Sequence, residues 1–67
     1  MRKIERIEPF LKELGQIWGD NLSDWRFGQL IYNFIAENGD PFFWEEDEFL
    51  KRFKAWVEKL KEPPKNN

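Results

Sequence analysis

Asp24-Trp25-Arg26-Phe27-Gly28-Gln29-Leu30-Ile31-Tyr32-Asn33-Phe34-Ile35-Ala36-Glu37-Asn38 is the stretch on which the fold turns. Phe27, Leu30, Ile31, Phe34 and Ile35 recur at i, i+3, i+4, i+7 and i+8, the spacing of one apolar helical face. Trp25, Gly28, Tyr32 and Ala36 form a second strip beside it, which leaves a narrow polar face of Arg26, Gln29, Asn33 and Glu37. A helix apolar over more than half its circumference needs two neighbours, so this segment is expected to be the central helix. Gly28 lowers helix propensity by about 1 kcal/mol relative to Ala, and the close approach of another element would account for it. Ser23 or Asp24 can cap the N-terminus, and Gly39, with Asn38 as the alternative left-handed residue, ends the helix.

The same periodicity extends outward in both directions. A first helix is expected from Glu8 to Trp18, with Phe10, Leu11, Leu14, Ile17 and Trp18 on one arc and Pro9 in its opening turn, where the missing N–H goes unused. Ile4 and Ile7 continue the spacing backwards as a short extra turn or an extended arm on the same seam. Gly19 is the expected left-handed stop, with Leu22 anchoring the link to the second helix on the core. Asp40-Pro41-Phe42-Phe43-Trp44 reads as an extended connection. Alternation there sends Phe42 and Trp44 to one side and Phe43 to the other. A third helix opens in Glu45-Glu46-Asp47-Glu48 and runs to Leu60 with Phe49, Leu50, Phe53, Trp56, Val57 and Leu60 as its stripe. Its acidic first turn and its closing Lys59 and Lys61 both complement the helix dipole. The expectation is therefore an all-α, three-helix domain over residues 1–62, followed by a disordered tail at 63–67 behind Pro63-Pro64.

Composition narrows the function classes. The chain has 67 residues and a net charge of −2, with no His and no Cys. That removes the usual zinc, haem and iron–sulfur ligand sets, thiol and Ser–His nucleophiles, and any disulfide framework. A domain of this size buries only about 60% of its extended-chain surface. Yet it carries four Trp, one Tyr and seven Phe, more large rings than so small an interior absorbs. The absence of a long apolar run or an apolar signal region suggests a soluble cytoplasmic protein rather than one that uses a membrane.

Each chemistry-bearing cluster has a plain structural reading beside the functional one. Glu45 to Glu48 could gather a divalent cation, but consecutive helical residues point in different directions, and favourable charge at a helix N-terminus explains the acids directly. Lys51, Arg52, Lys54, Lys59 and Lys61 give the third helix a basic surface that could meet nucleic acid. The interleaved Glu58 and Glu62 favour a solvated face instead. With no phosphate loop and little room for a pocket, neither a catalytic residue, a cofactor nor a small-molecule ligand is expected, and the protein is read as non-enzymatic. The preferred reading is a protein-interaction module, self-associating or binding another protein. Its contact residues would be Trp25, Arg26, Tyr32, Phe43 and Trp44, since Trp, Tyr, Phe and Arg remove much area from water at small entropic cost. The alternative is a nucleic-acid-binding regulator that uses the basic third helix.

The run Asp24-Trp25-Arg26-Phe27-Gly28-Gln29-Leu30-Ile31, followed by Asp40-Pro41-Phe42-Phe43 and Glu46-Asp47, resembles a family of small uncharacterised bacterial and phage proteins. Their pattern is Asp-x-Arg-Phe-Gly-Gln-Leu-Ile and then Asp-Pro-Phe-aromatic with acids. The resemblance covers the middle and later half of the chain, with Trp25 and Trp44 standing where aliphatic residues are expected. It implies a phage or mobile-element setting with a host protein as one class of partner, and no activity.

Overall fold

Pro9 has no N–H to donate, and the chain accommodates it in the first turn of a helix, α1, which spans Ile7–Asn21. A single 3-10 turn, Ile4–Arg6, leads into α1, so the residues before Pro9 form the extra turn and not an extended arm. They do not join the core seam, because Ile4 is 73% exposed. The computed structural model describes residues 2–61, and the expected tail at 63–67 lies outside the described residues. Two further helices follow, α2 at Phe27–Asn38 and α3 at Glu46–Lys61, so the fold is an all-α three-helix domain.

The helix ends depart from the sequence reading in ways that side-chain hydrogen bonds explain. Gly19 does not stop α1, which continues to Asn21, where the side-chain amide donates to the Ile17 carbonyl at 2.8 Å. Neither Ser23 nor Asp24 caps α2. The Trp25 N–H instead closes a turn onto the Leu22 carbonyl at 3.0 Å, and Arg26 becomes the extended N-cap residue. Its backbone N–H donates to Gln29 Oε1 at 2.9 Å, so the fourth residue of the cap sequence supplies the satisfying oxygen. Gly39 does end α2 as expected, at φ +89° with its N–H on the Ile35 carbonyl at 2.8 Å.

Four contacts set the relation between α1 and α3. Arg2 meets Glu45, Arg6 meets Glu46, Phe10 meets Phe49 and Glu13 meets Lys54. Both residue numbers rise together, so α1 and α3 lie side by side and parallel. α2 crosses rather than following either of them. Trp25, just ahead of it, packs on Trp56, while Glu37 near its other end reaches Lys59 at 3.9 Å, and those two α3 residues are less than a turn apart. At the crossing Phe34 has its ring centroid 5.0 Å from Phe49, 5.3 Å from Phe53, 5.5 Å from Trp56 and 6.0 Å from Trp44.

The buried core consists of Leu14 from α1, Leu30 and Phe34 from α2, and Phe53, Trp56 and Val57 from α3, with no polar residue among them. Full burial of a Leu or Phe side chain contributes about 1.5–3 kcal/mol, and partly buried rings, among them Phe10, Trp18, Trp25, Trp44 and Phe49, pack around this core and add to it. The central helix is α3 and not α2, because α3 packs against both of the others. The second strip of α2 is not a packing face. Gly28, Tyr32 and Ala36 all face solvent, and a side chain at Gly28 would meet nothing within 4 Å, so no element approaches it. Leu11, Phe27 and Leu60, placed by periodicity on buried stripes, are also exposed.

A braced aromatic turn as the candidate interaction surface

Asp40-Pro41 decides the shape of the segment between α2 and α3. The Phe42 N–H donates to Asp40 Oδ1 at 3.0 Å, and the Trp44 N–H donates to the Pro41 carbonyl at 3.0 Å. An Asx bond followed by a four-residue turn replaces the expected extended connection, and proline's fixed φ pre-sets the geometry. The alternation expected of an extended strand is accordingly absent. Phe42 and Phe43 sit together at the tip, 78% and 87% exposed, with ring centroids 4.8 Å apart in an edge-to-face arrangement. Trp44 alone turns inward, against Phe34 and Phe49, and the Arg52 guanidinium lies 4.4 Å from its ring centroid.

Charge pairs hold the base of this turn. Arg2 donates to both carboxylate oxygens of Glu45, the Nε contact at 2.8 Å, and Arg6 Nε donates to Glu46 Oε1 at 2.8 Å while its Nη1 reaches the Lys3 carbonyl. The hydrogen bond from Arg2 holds the Glu45 carboxyl below its ordinary value, and the charges of Arg2 and Arg6 add to that. Reciprocally, the bond to Glu45 holds the Arg2 guanidinium above its ordinary value. Arg2, Arg6, Phe42, Phe43, Trp44 and Glu46 together line a shallow depression at this end of the molecule. The acids at the start of α3 are thus distributed among partners. Glu45 and Glu46 take the two N-terminal arginines, Glu48 takes Arg52, and Asp47 Oδ1 accepts the Glu48 N–H at 2.9 Å. Among the described residues no three carboxylates converge as a metal site.

The five residues singled out in the sequence do not form one patch. Phe43 and Trp44 share the turn. Trp25 is half-buried against Trp56, and its carbonyl accepts the Trp18 indole N–H at 3.1 Å. Arg26 is exposed beside it at the α2 cap, and Tyr32 stands 76% exposed on the outward side of α2. The helical strip that joined Trp25 to Tyr32 does not exist, because Trp25 precedes the helix. Sequence reasoning counts Phe42 among the surplus rings without naming it a contact residue, and it omits Arg2 and Arg6. The Asp-Pro pair was a readable turn signal that would have put both phenylalanines at a tip, whereas the two arginines are brought there by contacts spanning some forty residues and leave no local trace.

The basic surface of α3 is largely paired with carboxylates. Lys54 meets Glu13, Arg52 meets Glu48, Lys59 meets Glu37 at 3.9 Å and Lys61 meets Glu58 at 3.5 Å. Among the described residues no helix is long and apolar enough to cross a membrane. Comparison of the chain with protein-family models, with curated proteins and with solved structures returned no match in any of the three.

Proposed function

We propose that the protein is a non-enzymatic protein-interaction module that uses the Pro41–Trp44 turn as its contact element. The observation that carries this reading is the pair Phe42 and Phe43, two large adjacent rings almost wholly in water on a turn fixed by two hydrogen bonds. Leaving them there costs solvation and gives the fold nothing. A partner that covered them would gain the burial without ordering a loop, because the ordering is already done. Arg2, Arg6 and Glu46 supply a polar rim to that apolar centre, the usual anatomy of a binding patch. The partner is a protein, either another copy or, in keeping with the resemblance to phage proteins, a protein of the host cell. A cysteine-free chain has no need of an oxidising compartment, and the cytoplasm suits it.

The nucleic-acid alternative finds less support, since four of the five basic groups on α3 already face a carboxylate. Gel retardation at low salt checks it, and no shift is expected.

The decisive variant replaces both tip residues, Phe42→Ser with Phe43→Ser. Exposed side chains contribute little to stability, so unfolding should change by no more than about 0.5 kcal/mol. Proteins retained from a bacterial lysate by the wild type should be lost with the variant. An unchanged set of retained proteins would exclude the turn as the contact element.

A further inference from the structure

We propose that Asn38-Gly39 is a self-modifying site, at which the chain converts its own asparagine to isoaspartate and so releases the aromatic turn from the end of α2. Water is the only co-reactant. The Gly39 backbone nitrogen gives up its proton and bonds to the side-chain carbonyl carbon of Asn38. The carbon–nitrogen bond of the side-chain amide breaks, and ammonia leaves behind a five-membered imide. Water then opens that ring at either carbonyl. Opening at the side-chain carbonyl gives aspartate, and opening at the main-chain carbonyl gives isoaspartate, which lengthens the backbone by a methylene.

The structure singles out this asparagine by comparison with two others. Asn21, Asn33 and Asn38 each donate the side-chain amide to the carbonyl four residues earlier, at 2.8, 2.7 and 3.0 Å. Between Asn21 and Asn38 the match goes further. Each is the last residue of its helix, and the next backbone N–H closes that helix at 2.8 Å, Leu22 on the Trp18 carbonyl and Gly39 on the Ile35 carbonyl. What differs is the residue that must attack. Leu22 carries a branched side chain beside its nitrogen and is packed against the core. Gly39 is exposed, has no Cβ, and has nothing within 4 Å of where one would stand. Asn33 lies inside α2, ahead of the fully buried Phe34.

Two hydrogen bonds restrain the reaction. The Ile35 carbonyl holds the nitrogen that attacks, and the Phe34 carbonyl holds the amide that leaves. Both let go together when the last turn of α2 frays, and little secures that turn. Ala36 and Glu37 are exposed, and Glu37 reaches the exposed Lys59 only at 3.9 Å. Once converted, residue 38 no longer donates to the Phe34 carbonyl, and it sets a negative charge beside Glu37 at the negative end of the helix dipole. The added methylene displaces the N–H that closed on Ile35. Two residues on stands Asp40, whose carboxylate fixes the aromatic turn through the Phe42 N–H. The chemistry is read on the chain itself, so it stands or falls apart from any contact role of the turn.

Incubation of the full chain in warm, mildly alkaline buffer, folded and in urea, tests the site. Fragment mass spectrometry reads the exchange of an amide nitrogen for oxygen, and labelling by an isoaspartyl methyltransferase identifies isoaspartate. Both samples should convert at Asn38, mainly to isoaspartate, the folded chain about tenfold or more slowly. Asn21 and Asn33 should stay intact over the same interval. In the converted chain, purified by its added charge, the thermal midpoint should fall and the Phe42 and Trp44 amide resonances should shift. Asn38→Asp, which carries the charge without the longer backbone, should shift them less. A folded chain that never converts would overturn the proposal, as would equal rates in buffer and urea or equal conversion of Asn21. Converted protein that kept the original Phe42 and Trp44 resonances would overturn the release of the turn.

Discussion

Gly39 and Gly28 show how differently one residue type can be used. Gly39 holds φ at +89°, where a Cβ is strained whatever space surrounds it, and its N–H closes α2 on the Ile35 carbonyl. Gly39→Ala should therefore lower stability by about 1 kcal/mol. Gly28 lies in the first turn of α2 with an ordinary backbone and open space above it. Gly28→Ala should raise stability by about 0.5 kcal/mol, and urea unfolding of the two variants checks both signs. The sequence shows that Gly28 lowers helix propensity but not what stands opposite it, so a close approach was expected where none exists. Phe34 is the opposite extreme. It touches four other rings and is fully buried, so Phe34→Ala should cost about 3–5 kcal/mol, enough to unfold most of a domain this small.

At the scale of elements, three helices were legible because long apolar stripes at a 3.6 period leave few alternatives. Their ends were less so. Ser23 and Asp24 are good capping residues, but the Trp25 carbonyl is claimed by the Trp18 indole, and that contact draws the chain through a turn before α2 can start. A hydrogen bond between residues of different elements has no signature in local propensity. The aromatic turn was readable in part. Its rings were suspected, and Phe43 is as exposed as a binding residue should be, whereas the half-burial of Trp25 and Trp44 follows from packing partners on α3 that spacing cannot reveal. The N-terminal brace on this turn carries a pH dependence. Glu45 has a lowered carboxyl value in the folded chain, so its tie to Arg2 is complete above the unfolded carboxylate range and is lost as pH falls through the lowered folded value. Both groups are exposed, so high salt should loosen the same contact. Amide chemical shifts of Ile4 and Arg6, followed through an acid titration and a salt titration, should move together with the Glu45 carboxyl resonance.

At the scale of the molecule, the core is wholly apolar and largely aromatic, and the polar groups that order the surface are salt bridges between elements. Such a core defines a fold by the fit of its rings rather than by any buried hydrogen bond, which is why one position, Phe34, matters so much. The parallel pairing of α1 with α3 sets the speed of assembly. An up-and-down bundle can close one hairpin of neighbouring helices at a time, but here Phe10 must find Phe49 and Glu13 must find Lys54 across most of the chain. The entropy of closing that loop has to be met before either contact rewards it. Refolding should accordingly be slower than in helical hairpins of equal length, and substitutions at the α1–α3 contact should slow folding more than they speed unfolding.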